Sequence, residues 1–192
     1  MGFTRAQLES FRDAPVRDLV GPNIRLLFVG INPGLWTAAT QTPFAHPGNR
    51  FYPALAAAGV IPRLPAFSDG LDDEDRQAFL DAGIGISNLV NRATVRADEL
   101  SREELREGAA RLATNVARWA PVVVAIVGLT AYRQAFDRPK ARAGKQPESL
   151  AGAELWVVPN PSGLNAHDTI ASLARAYAEP ARAAGVLKQA AS

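Results

Sequence analysis

The chain has 192 residues, enough for one domain with a substantial core, and is 47% hydrophobic and 21% charged, an ordinary globular balance. It contains no cysteine, which excludes disulfides, thiol catalysis and thiolate-held zinc or iron–sulfur centres, and two histidines, His46 and His167, are too few for a histidine-rich metal site. The formal charge of +2, with arginine as the main cation, permits nucleic-acid contact without requiring it.

The first residues, "MGFTRAQLESFRD", lack a signal-peptide pattern, and no apolar run is long enough to span a bilayer. A cytoplasmic protein with no membrane partner is expected. In chain order, a short helix is expected over 4–12 and a first strand over 24–30. A long irregular stretch follows, "INPGLWTAATQTPFAHPGN", and then a helix near 50–58. The acidic "SDGLDDEDRQAFLDAG" predicts a capped helix, with Ser68 or Asp69 near its start and Gly83 after its end. "IGISNLV" predicts a short strand. "SREELREGAARLATNVARWA" combines helical periodicity with the capping-box spacing of Ser101 and Glu104.

"PVVVAIVG" is the clearest buried strand, followed by a helix over about 130–136. "AELWVVPNPSG" predicts strand then loop, and 168–185 a closing helix. Strands alternating with helices imply an α/β protein whose parallel sheet is covered on both faces. With no repeat or linker, 1–192 reads as a single domain, about 1–15 and 186–192 being peripheral. The segment "RPKARAGKQPES", 138–149, is the most basic and predicts a mobile loop.

Two loops stand out because both leave the C-terminal ends of predicted strands. The first, "FVGINPG" over 28–34, runs an apolar strand into one uncharged amide between a proline and two glycines. Gly30 ends the strand, Pro33 fixes its own φ, and Gly34 admits backbone angles or close approaches that a Cβ would block. The second, "NPSGL" over 160–164, also has Asn-Pro followed closely by Gly. Loops at that edge of an α/β sheet converge on one crevice, so a shared site is expected.

Several familiar chemistries do not fit. "GINPG" lacks the Gly-Lys-Ser/Thr ending of a triphosphate-binding loop. Gly83 and Gly85 precede a strand instead of following one. Ser162 does not sit in a nucleophile elbow. The cluster Asp72, Asp73, Glu74 and Asp75 reads as the acidic first turn of a solvated helix in preference to a metal site.

"GINPGLWTAATQTPFAHPGNRFY" (30–52) together with "VVPNPSGLNAH" (157–167) resembles the mismatch-specific uracil/thymine-DNA glycosylase family of the uracil-DNA glycosylase superfamily, over roughly residues 20–180. The resemblance implies a three-layer α/β/α fold around a short parallel sheet. It also implies excision of uracil or thymine opposite guanine, and of some damaged pyrimidines, from double-stranded DNA. The family works without metal or cofactor, and a monomer is expected.

Cleaving an N-glycosidic bond builds positive charge on the sugar and negative charge on the departing base. The enzyme must flip the nucleotide, hold a water beneath the sugar and stabilise the base anion. The resemblance makes Asn32 the residue that positions this water, since attack on an oxocarbenium-like centre needs aim more than prior deprotonation. Phe44 corresponds to the aromatic that stacks on the flipped base, and backbone groups of Ile31 and Phe44 complete the pocket. Gly34 stands where strict uracil enzymes carry a tyrosine, and Asn160 where faster ones carry a histidine. Gly163 and Leu164 correspond to the wedge that fills the vacated stack, with Ser162 a phosphate contact. His46, Asn49 and Arg50 read as loop-stabilising residues, the last two also as possible phosphate contacts.

The chain departs from relatives at Trp36, where small residues are usual, at "NAH" after Leu164 and at Asn88, which replaces a lysine of some relatives. Those changes bear on the preference for guanine mismatches. Asp98, after "SNLVN", adds a carboxylate at a strand end that could accept the water's proton; the competing reading is a solvated residue at a helix entry. Two other functions would use the same residues. A nucleic-acid-binding module would not depend on Asn32, and a hydrolase of free nucleosides would not need Leu164.

Overall fold

Strands β1 (Leu26–Gly30) and β3 (Val123–Val127) are buried at every position, as only a sheet covered on both faces allows. The computed structural model describes residues 2–188. The two strands are joined by β2 (Ile84–Asn88), β4 (Gly144–Leu150) and β5 (Ala153–Val158) in one sheet of order β2-β1-β3-β5-β4. Four strands are parallel. The helices are α1 (Arg5–Glu9), α2 (Leu35–Thr40), α3 (Phe51–Ala57), α4 (Asp73–Asp81), α5 (Arg102–Trp119), α6 (Leu129–Ala135) and α7 (Ile170–Ala183).

Alternation along the strands divides the core in two. Leu26, Phe28, Val123 and Ala125 pack under α3, α4 and α7 through Phe51, Tyr52, Leu55, Phe79, Leu173 and Tyr177. Leu27, Val29, Val124 and Ile126 pack under α5 and α6 through Leu105, Leu112, Val116 and Tyr132. The result is the expected three-layer α/β/α architecture. At the start of α5, Glu104 N–H donates to Ser101 Oγ (3.1 Å) while Ser101 N–H donates to Glu104 Oε2 (2.8 Å), completing the predicted capping box.

Three features differ from the sequence reading. Residues 144–149 belong to β4, an edge strand antiparallel to β5, joined to it by a tight turn with positive φ at Ala151 (48°) and Gly152 (91°). Its charged, solvent-facing side chains hide the strand signature, a common property of protected edges. Helix α2 lies inside the stretch read as irregular, buried through Leu35 and Ala38. Helix α4 is capped by Asp72, which accepts from Asp75 N–H at 2.7 Å, whereas Ser68 and Asp69 form a separate 3-10 turn.

The N-terminal segment has no buried residue over 2–15 but docks on the domain through half-buried side chains. Leu8, Phe11, Ala14 and Val16 form a third apolar cluster with Leu35, Ala38 and Ala93. At the other end Val186 and Leu187 pack on the main core, and the expectation for 189–192 lies outside the described residues.

Candidate active site

Loops leaving the C-terminal ends of β1, β2 and β5 enclose a cleft of about 370 Å³. Asn32, Gly34, Phe44, Asn88, Asn160 and Ser162 line it, together with Ile31, Asn49 and His46. Among the described residues no Asp, Glu, Lys or Arg lines it, and His46 is the one lining residue there with an ionisable side chain. The two loops singled out in the sequence therefore meet in one site.

Asn32 is held by its nitrogen. Nδ2 donates to the Arg92 carbonyl (2.8 Å), to Thr94 Oγ1 (2.8 Å) and, more weakly, to the Pro33 carbonyl (3.2 Å). A carbonyl oxygen can only accept, so these contacts fix the orientation of the carboxamide. Oδ1 is left as an acceptor.

The loop that grips Asn32 is itself secured. The Thr94 hydroxyl donates to the Arg96 carbonyl (2.8 Å), and Thr94 N–H donates to the Pro33 carbonyl (3.1 Å). Arg92 forks between Glu104 (2.9 Å) and Asp13 (2.8 Å), joining this loop to α5 and to the N-terminal segment. Thr94 is a site residue that sequence reasoning missed. It lies 62 positions from Asn32, and nothing local marks it; only the placement of "ATV" after β2, at the same sheet edge, could have pointed to it.

Phe44 belongs both to the core and to the cleft. One face of its ring stacks on Phe51 of the core (4.1 Å between centroids, 24° between planes), while the residue also lines the cleft. Its φ of 56° is left-handed, an uncommon conformation for a non-glycine residue and one that recurs at functional loops. Tyr52 OH donates to the Pro43 carbonyl (2.7 Å) and anchors this loop; burial pushes the phenol pKa up, so it stays a donor.

Gly30 accommodates that ring. A Cβ there would stand 2.6 Å from Asn88 Oδ1 and 3.2 Å from Phe44 Cζ. Gly34 corrects an expectation. Its φ of −79° is open to any residue, and a Cβ would meet nothing within 4 Å. This glycine relieves no local crowding and instead leaves empty space at the cleft.

Asn160 is oriented opposite to Asn32. Its Oδ1 accepts from Ser162 N–H (3.0 Å), which leaves Nδ2 as a donor on a cleft-lining residue. The Ile31 carbonyl accepts from Val90 N–H (2.9 Å), which ties its loop to the one after β2.

Beyond Asn160 the loop rises to Leu164, which is 91% exposed. Arg50 holds this loop from below. Its guanidinium donates to the carbonyls of Ser162 (2.5 Å), Asn165 (2.7 Å) and Asp168, and its backbone N–H donates to the Pro161 carbonyl (3.0 Å). At Gly163 a Cβ would stand 2.8 Å from the Gly48 carbonyl, so the loops over 46–50 and 160–164 are in direct backbone contact.

Asn49 Oδ1 accepts from Phe51 N–H (2.9 Å) and His46 Nδ1 from Gly48 N–H (3.0 Å), both loop-stabilising arrangements. Trp36 forms the outer wall. Its Nε1 donates to the Ser68 carbonyl (2.8 Å), and its ring meets Phe3 and His46 edge-on.

Asp98 is not brought into this constellation. Thr94, Val95 and Ala97 line the cleft, but the Asp98 side chain is 63% exposed and ion-pairs with Arg96. It occupies a 3-10 turn, Ala97–Glu99, just before α5, as the helix-entry reading describes.

A family model described as the uracil DNA glycosylase superfamily matches residues 18–180, a span that contains both site loops. The solution NMR structure of a "putative Uracil DNA glycosylase" from Methanosarcina acetivorans has a similar fold. Its TM-score is 0.56 at 16% identity, with 85% of this chain and 97% of that one covered. With the match spanning well over half of its length, the chain belongs to the uracil DNA glycosylase superfamily.

Proposed function

We propose that this protein is a monofunctional DNA glycosylase of the mismatch-specific branch, acting as a single domain and a monomer on double-stranded DNA. It hydrolyses the N-glycosidic bond of uracil mispaired with guanine, and also accepts thymine or damaged pyrimidines. The observation that carries this reading is the orientation of Asn32. A water donating to Oδ1 turns a lone pair toward the sugar C1′, which suffices for a carbon already approaching an oxocarbenium ion.

The flipped base stacks on the free face of Phe44 and meets Nδ2 of Asn160 and the backbone of Ile31 and Phe44. These donors stabilise charge developing on the departing base in a cleft without fixed charges. A neutral amide does so less well than a cation, so leaving-group quality governs the rate. Leu164 fills the vacated stack, with Gly163 beside it and Ser162 against a phosphate. Asp98 is assigned no step.

The test is incubation with a G·U duplex followed by alkali. Strand breakage at the uracil is the expected result. Intact strands would leave a binding module, and cleavage of free nucleosides alone would leave the nucleoside hydrolase.

A further inference from the structure

The connection from α6 to β4 carries Arg138, Lys140 and Arg142, with Lys145 at the second position of β4. Both of its ends are tied to the cleft edge of the sheet. Because β4 runs antiparallel, its first residue, Gly144, stands opposite Val157, three residues before Asn160. At the other end Asp137 pairs with Arg102 (2.8 Å) in the first turn of α5, the helix that follows the Asn32-gripping loop. Adjacent strands lie about 4.8 Å apart, so this segment runs one strand to the side of the loop bearing Leu164.

Its shape is held by side chains bonded to its carbonyls. Arg133 donates through Nε (3.0 Å) and Nη2 (2.7 Å) to the Ala141 carbonyl. Gln146, only 7% exposed, donates to the carbonyls of Arg142 and Gly144, both at 2.8 Å. Two of the four cations are neutralised, Arg138 by Glu148 (2.9 Å) and Lys145 by Glu154 (2.7 Å). Lys140 and Arg142 are exposed and have no carboxylate partner among the described residues; both line a concavity of about 450 Å³.

We infer that Lys140 and Arg142 bind the phosphodiester backbone of the DNA duplex beside the flipped nucleotide. This inference rests on the glycosylase reading. A loop shaped in advance loses little freedom when it docks, and two cations without acidic partners need not break ion pairs to meet phosphates. The contact is independent of sequence and sets the position of the duplex relative to the wedge.

The test is the salt dependence of binding. A duplex with a nonhydrolysable 2′-fluoro uracil nucleotide opposite guanine is titrated by fluorescence anisotropy at several KCl concentrations. The parent, Lys140→Ala/Arg142→Ala, Lys140→Gln/Arg142→Gln and the control Arg182→Ala are compared. Each lost phosphate contact lowers the slope of log K against log salt by about 0.9, so both double variants are expected to be shallower by roughly 1.8. Arg182, paired with Glu179 near the far end of α7, is expected to leave the slope unchanged.

An unchanged slope in the double variants, an equal fall in Arg182→Ala, or equal competition by inorganic phosphate at matched ionic strength in parent and variants overturns the inference. A parent that excises uracil while its double variants keep the parent slope removes this inference alone. A parent that excises nothing removes the glycosylase reading beneath it.

Discussion

Asn32 and Asn160 offer the cleft opposite ends of the same functional group. Asn32 spends its Nδ2 on Arg92 and Thr94 and keeps an acceptor; Asn160 spends its Oδ1 on Ser162 and keeps a donor. In the proposed reaction the acceptor aims water at the sugar and the donor meets the departing base, so two neutral side chains orient nucleophile and leaving group without taking or giving a proton.

Asn32→Ala is expected to lower single-turnover excision at least about 100-fold, the scale of losing one oriented group at a reacting centre. Duplex binding should stay within a few fold. Thr94→Val removes one of the acceptors that hold Asn32 while keeping the buried shape, and a loss of about tenfold in rate, roughly 1.4 kcal/mol, is expected with little change in affinity. Full activity in a folded Asn32→Ala protein would remove it from the reaction.

The space at Gly34 predicts substrate range. A side chain there strains neither backbone nor neighbours, so Gly34→Tyr should fold normally. Its ring would occupy the opening beside the base, and activity on thymine and other 5-substituted bases should fall before activity on uracil. Excision rates on the two substrates decide the matter, and equal losses would argue against a steric gate.

Acid should loosen the loop that grips Asn32. Its neighbours Glu104 and Glu99 have carboxyl pKa values below the usual range. Glu104 is lowered chiefly by the Ser101 N–H and also by Arg92, and Glu99 chiefly by Arg12. A depressed folded pKa gives stability that is present above the unfolded value, near 4.3, and is lost as pH falls through the folded one. Thermal unfolding of the parent should therefore shift to lower temperature below about pH 4.5. Glu104→Gln, which cannot titrate at this position, should show a smaller acid-induced shift.

How far sequence reached depends on where each signal resides. The run "VVVAIVG" and the Ser101–Glu104 spacing are local, and both formed as read. So did the convergence of "GINPG" and "NPSGL", because parallel strands carry their following loops to one edge. Edge strand β4 was hidden by its charged face, and α2 by a sequence without a side-chain cap. Thr94 and the grip of Arg50 on the Leu164 loop are long-range pairings across loops, which no local pattern encodes.

Arg50 and Leu164 should act as one unit. Leu164→Ala is expected to slow excision from stable pairs more than from mismatches or single strands, since the wedge offsets an unstacking cost of a few kcal/mol. Arg50→Gln should reproduce that pattern, because it releases the carbonyls that hold the loop under Leu164. In a Leu164→Ala background, adding Arg50→Gln should cost little more. Additive losses in this double-mutant cycle would separate the two residues.

Asp98 tests whether the amides suffice. Its carboxylate is paired with Arg96 in solvent, one residue beyond the cleft-lining Ala97. An exposed pair of this kind contributes little to stability. Asp98→Asn should therefore fold normally and excise uracil, thymine and damaged bases at the parent rate, whereas a general base would lose at least about tenfold, or 1.4 kcal/mol in barrier. A tenfold loss in Asp98→Asn on every substrate would mean that the turn before α5 moves toward Asn32 when DNA binds. The parent rate would leave Asn32 to position the water without a carboxylate.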